Sequence, residues 1–175
     1  MLSTRFILNT RATAARATRP FSSSFSGHTL NCENALKKAH EGESFSELKE
    51  GSVQILQGIG PVHTEAFDQL GLRSIKDLAT YKFYHMAKAI TILKDSESEF
   101  RPETSTMNLN KGVDKKFERK SFKDISEAPV AALQGLSEEN GALFRTVGVT
   151  TVADLANFKY CKWAESIVAL SKYEE

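Results

Sequence analysis

Two aspartates, Asp77 and Asp154, first suggest chemistry, since paired carboxylates can serve as general acid and base. Their local strings point elsewhere. Asp77 closes Ser74-Ile75-Lys76-Asp77 and Asp154 closes Thr151-Val152-Ala153-Asp154. At these capping-box spacings a hydroxyl and an acid three residues on satisfy free backbone N–H groups at a helix start. His63 could pair with a phosphate when protonated, but an ordinary histidine pKa of about 6.5 leaves it mostly neutral in an alkaline compartment. A solvent-facing helix residue is expected there. Cys32 and Cys161 lie far apart with no CxxC or Cys/His spacing, so two free thiols in a reducing compartment are expected, with neither a zinc site nor a disulfide. The sequence carries no Walker loop, dinucleotide-binding fingerprint, HExxH or GxSxG string. No catalytic residue, metal site or cofactor is assigned, and the chain reads as a non-enzyme.

The elements that hold these residues come from a repeat. Shifting the sequence against itself by 77 positions aligns Leu30 to Leu93 with Met107 to Leu170 without a gap. LQGIGPVHTEAFDQLGLRSIKDLATYKFYHMAKAITIL then lies beside LQGLSEENGALFRTVGVTTVADLANFKYCKWAESIVAL. Chance likeness of two amphipathic helices does not keep one offset so far, so the chain contains an internal duplication. Copy one is 30–93 and copy two is 107–170. The polar stretch 94–106 (KDSESEFRPETST), broken by Pro102, reads as a surface linker. Each copy is small for independent folding, which favours packing of the copies on one another or on a partner.

Punctuation and period place the helices. A short helix is expected over 33–41 and a first hairpin helix over about 52–57, stopped by Gly58. A second hairpin helix starts at Pro61, where a missing N–H costs nothing, runs to Leu70 and closes at Gly71 in a left-handed cap. The next helix starts at Ser74. The last one presents Phe83, Ala87, Ile90 and Leu93 on one face, matched by Tyr160, Ala164, Ile167 and Leu170. No strand pattern of comparable strength is present, so the fold class is all-α. Tyr81, Phe83, Tyr84, Phe158, Tyr160 and Trp163 gather at the start of the last helices. Core packing is expected for most of them, with Tyr84 and Trp163 as candidates for an interface anchor.

The string LQGIGPVHTEAFDQLGLRSIKDLA, residues 56–79, resembles the helix-hairpin-helix family, with units similar to those of DNA repair enzymes and of the RNA polymerase alpha C-terminal domain. The resemblance implies two tandem small helical domains of that type joined by the polar linker. It also implies a tight turn at Gly58, Ile59 and Gly60, with the backbone of Val62, His63 and Thr64 nearest a nucleic-acid phosphate. Copy two departs from the pattern. Ser137 replaces the second glycine and Glu138 and Glu139 follow, two carboxylates that repel a phosphate. Copy one has Glu65 and Asp68 in the same helix, where DNA-binding members commonly carry Lys or Arg.

Residues 1–27 contain four arginines, many Ser, Thr and Ala, and no acid, the composition of a mitochondrial-type presequence. Cutting near Phe21 or Ser22 and delivery to the matrix are expected, with a plastid as the alternative. Without this segment 19 basic residues face 22 acidic ones, a net charge of −3 in place of the +1 of the whole chain. A mildly acidic protein has no overall attraction to nucleic acid. The one basic run, Lys111 to Lys120, is diluted by Asp114 and Glu118 and is expected to be a solvated helix face. No apolar run approaches the roughly 20 residues of a membrane span. The expectation is a non-catalytic mitochondrial adaptor or accessory subunit with protein partners, self-association being open. The alternative is nucleic-acid binding by the Gly58-Ile59-Gly60 hairpin of copy one.

Overall fold

The computed structural model describes residues 30–100 and 102–175; the presequence reading of 1–27 and its cleavage lie outside the described residues. Copy one contains helices α1 (Phe45–Leu48), α2 (Pro61–Gln69), α3 (Ile75–Ala79) and α4 (Lys82–Leu93). Copy two contains α5 (Phe122–Glu127), α6 (Glu138–Thr146), α7 (Val152–Ala156) and α8 (Lys159–Leu170). Every helix of copy two starts 77 residues after its counterpart. No strand forms among the described residues, and the protein is all-α.

The helix starts follow local side-chain chemistry. Ser74 accepts from the Asp77 N–H while Asp77 accepts from the Ser74 N–H at 2.8 Å, and Thr151 with Asp154 repeats the arrangement. Ser44 with Glu47 and Ser121 with Asp124 build two further capping boxes in front of α1 and α5. Gly71 and Gly148 follow α2 and α6 with φ of 73° and 82°, the left-handed cap that a Cβ would oppose.

Two expected helices are shorter structures instead. Residues 33–41 form a turn and a 3-10 turn over Lys38–His40, because the backbone around Leu36 is committed elsewhere. Lys37 donates to the Ile55 carbonyl and Gln57 to the Ala35 carbonyl, both at 2.8 Å, which bridges Leu36 to Leu56. The same commitment reduces 52–57 to a 3-10 turn over Val53–Ile55, capped by Ser52. Copy two has the matching 3-10 turn Val130–Ala132 and the matching bridge Val113 to Leu133.

Residues 31–175 form one compact unit. Its apolar core runs through both copies, and the long last helices are exchanged: α4 packs on α7 and α5 of copy two, α8 on α3 and α1 of copy one. The hairpin helices α2 and α6 meet each other. Phe67 and Phe144, at matched positions, are almost wholly buried in this shared core. The start of the expected linker is also part of the fold. Lys94–Ser96 extend α4 as a 3-10 turn, and the Glu97 carboxylate accepts from the Phe122 N–H at 2.7 Å, at the first turn of α5. Its counterpart Glu174 accepts from the N–H groups of Phe45 and Ser46, both at 2.8 Å, at the first turn of α1. Each copy's tail therefore caps the other copy's first helix. No helix among the described residues is long and apolar enough to cross a membrane.

Candidate functional site

The hairpin turn of copy one starts at Gly58, whose φ of 92° lies in the region open to glycine. A Cβ there would also meet the Tyr160 hydroxyl at 2.8 Å, because the start of α8 lies against the turn. Ile59 is buried, so the middle of the hairpin belongs to the core. Gly60 is different. Its φ of −108° and ψ of −172° are ordinary extended backbone, and a Cβ would meet nothing within 4 Å. No side chain caps α2 at Gly60, and Pro61 brings no N–H to the first helical position, so the N–H groups of Val62 and His63 carry the open helix start.

Around that start the side chains are already engaged or apolar. The Thr64 hydroxyl donates to the Gly60 carbonyl at 3.1 Å, and Val62 is exposed. His63 is half-buried, a correction to the solvent-facing residue expected, because its ring meets Tyr160 edge-on at 5.3 Å and Phe67 at 6.2 Å. Burial and then the Lys159 ammonium hold the imidazole pKa below its usual value, so it is neutral near pH 7. A cation at the turn comes from copy two: Lys159 Nζ stands 3.5 Å from where a Gly58 Cβ would be, and it lies over the rings of Tyr160, at 4.9 Å, and Trp163, at 5.3 Å. An open groove of about 630 Å³ beside the hairpin is lined by Lys37, Gln54, Gly60, Thr64, Glu65 and Asp68. Two carboxylates against one ammonium make it a poor seat for a polyanion.

Copy two keeps the turn and closes the helix start. Gly135 has a φ of 102°, and a Cβ would meet the Phe83 ring at 3.3 Å, Phe83 being the counterpart of Tyr160. Ser137 accepts from the Asn140 N–H at 3.1 Å, and Asn140 accepts from the Ser137 N–H at 3.0 Å, a complete capping box. Glu138 and Glu139 occupy the first turn of α6 in the position that the helix dipole favours for acids.

The other singled-out residues fall into structural roles or onto the surface. Tyr84, a candidate anchor for an outside partner, is fully buried. The interface it serves is the one between copies: its hydroxyl donates to the Glu165 carboxylate of α8 at 2.8 Å. Lys88 donates to the same carboxylate at 2.6 Å, and His85 Nδ1 stands 3.8 Å from its other oxygen. Burial raises the Glu165 pKa, but the Lys88 and Tyr84 hydrogen bonds outweigh it, and the carboxyl stays below its usual range. Trp163 is half-buried, edge-on to Tyr160 at 5.8 Å. Burial raises the Asp77 pKa, but hydrogen bonds from the Ser74 side chain and the Ser74 and Arg73 N–H groups outweigh it, and the Thr151 N–H lowers Asp154; both stay below the usual carboxylate range, the opposite of what a general acid needs near pH 7. Burial pushes the Cys161 thiol up to about 12, which makes it unreactive. The basic run is not a helix face: Lys115–Phe117 form a 3-10 turn flanked by irregular backbone, with Lys116 over Phe117 at 5.1 Å.

Sequence reasoning missed two features. The Lys88–Glu165 pair was signalled by opposite charges at one matched position inside the last helix. The Ser137 cap was signalled by Asn140 three residues on. No known family model, curated protein or solved structure matches this chain.

Proposed function

We propose that this protein is a non-catalytic mitochondrial adaptor or accessory subunit of a larger complex, built from two units of helix-hairpin-helix type within one body. The observation that carries the reading is a set of exposed aliphatic side chains at the ends of the two long helices. Ile92 is 63% exposed, and the matched Leu93 and Leu170 are 47% and 48% exposed. Each continues a helix whose preceding apolar residues, Ile90 and Ile167, are buried. Exposed aliphatics at the ends of these helices suit a protein partner better than a phosphate backbone. The test is a tagged pull-down from isolated mitochondria with the native chain and with Ile92→Ser/Leu93→Ser/Leu170→Ser. Loss of the co-purifying complex, with circular dichroism unchanged, is expected. Recovery of the same complex by the triple variant would sink the reading. Import itself is checked by the matrix location, or otherwise, of a C-terminally tagged chain.

A second reading, nucleic-acid binding by Gly58, Ile59, Gly60, Val62, His63 and Thr64, is favoured by one observation: the uncapped α2 start stands beside the turn that Lys159 approaches. Titration of residues 28–175 with duplex and single-stranded DNA at two salt concentrations separates the readings. Salt-sensitive binding weakened by Gly60→Glu favours nucleic acid, and absence of binding favours the adaptor.

A further inference from the structure

The two copies complete one another in a way that tandem packing alone does not require. The exchanged helices α4 and α8 pack on the opposite copy. Glu97 and Glu174 cap the opposite copy's first helix. Tyr160 covers the Gly58 turn as Phe83 covers the Gly135 turn. Each contact has a mate 77 residues away, so the two copies are related by a pseudo-twofold. A contact between matched positions must lie astride that axis. Lys88 and Glu165 are matched positions and touch each other at 2.6 Å. We propose that the protein is a covalently joined dimer of homologous units: the copies hold each other without the connection through 102–106, and Lys88 and Glu165 make copy one select copy two over a second copy of itself.

The chemistry at the axis carries the selection. A like pair of first copies would set Lys88 against Lys88, and a like pair of second copies Glu165 against Glu165. The Tyr84 hydroxyl needs the Glu165 carboxylate, and its matched position in copy two is Cys161, which has no strong acceptor to offer. In a like pair of first copies Tyr84 would face Lys88 with no carboxylate between them. The mixed pair alone sets an ammonium against a carboxylate at the matched position, a case of specificity by repulsion of the wrong partner. The partner surface therefore fits a unit of this same kind with an acid at the position of Glu165.

The full chain tests this when a protease site replaces residues 102–106, which are exposed and make no helix, and is cut after folding. The expected result at micromolar concentration is one particle in native mass spectrometry containing one of each fragment. Its thermal midpoint should now fall on dilution, as for any two-chain fold. Fragments that separate at that concentration, folded or unfolded, overturn the proposal. Refolding of the cut protein from urea tests the selection. Mixed pairs should dominate, with like pairs below about a tenth of the total; like pairs in statistical proportion overturn the role of Lys88 and Glu165. Lys88→Glu should loosen the cut pair by about tenfold or more, and Lys88→Glu/Glu165→Lys should recover most of the loss. If Lys88→Glu does not fold, Glu165→Lys supplies the same comparison. Equal affinity of the single variants and the native pair overturns the selection.

Discussion

The two hairpins share a backbone and differ in what stands at the helix start. Gly58 and Gly135 both take left-handed φ values, and Gly60 and Ser137 are both extended. The replacement of the second glycine therefore did not cost copy two its turn. It placed a cap and two acids over the N–H groups that copy one leaves uncovered. The first glycine is a requirement of the fold, imposed by φ and by an aromatic ring from the other copy. The second is a choice about what the helix start meets.

The largest effect is expected in the core that the hairpins share. Phe67→Ala and Phe144→Ala each remove a buried aromatic from one copy, at a cost of about 3–5 kcal/mol. Because the last helices are exchanged, either change should lower hydrogen-exchange protection in α4 and α8 together. Protection lost in only the mutated copy would mean that the copies unfold separately.

The glycines come next. Gly58→Ala and Gly135→Ala should each cost about 1–3 kcal/mol through positive φ, with displacement of Tyr160 or Phe83 in addition. Gly60→Ala should change stability far less, since its φ suits any residue and the space is open. Urea denaturation of the three variants measures the order; a Gly60→Ala as costly as Gly58→Ala would remove the distinction between the glycines.

Acid should weaken the caps of both copies and the contact between them. The Asp77 and Asp154 carboxyls are lowered by capping hydrogen bonds, and Glu165 by Lys88 and Tyr84. A carboxyl lowered on folding stabilises the fold above its unfolded pKa, and that contribution is lost as pH falls through the folded value. Stability should thus be level near neutrality and decline below pH of about 4. Thermal midpoints measured down the acid range check this. Ser74→Ala together with Thr151→Ala should flatten part of the decline; an unchanged profile would remove the caps as its cause.

What could be read from the residues, and what could not, follows the same division between local and exchanged contacts. The capping boxes at Ser74 and Thr151, the left-handed Gly71 and the start of α2 at Pro61 depend on groups a few positions apart, and the sequence displays them directly. The helices expected over 33–41 and 52–57 gave way because backbone groups of Ala35 and Lys37 bond to Ile55 and Gln57, a pairing that no local propensity reports. The exchange of α4 and α8 was hidden for a different reason. Duplication gives both copies nearly the same apolar faces, so a last helix fits either copy by pattern alone. That is why Tyr84 reads as an interface anchor yet serves the interface inside the chain, and why the cation near the first hairpin, Lys159, lies in the other copy's sequence.

The smallest effect is also the most direct test of what sets copy two apart. Ser137→Ala removes a side chain that accepts from the Asn140 N–H and should cost about 1 kcal/mol. The reverse change, Gly60→Ser, puts a hydroxyl at the uncapped start of α2, on backbone already extended and into open space. It should raise stability by only a few tenths of a kcal/mol, because glycine is itself an acceptable N-cap and His63, unlike Asn140, offers no carbonyl to complete the box. Matched urea curves resolve the sign if both variants are measured with the native chain. A destabilising Gly60→Ser would mean that the open start of copy one is held by something the capping hydroxyl displaces, and the two hairpins would then differ in more than their caps.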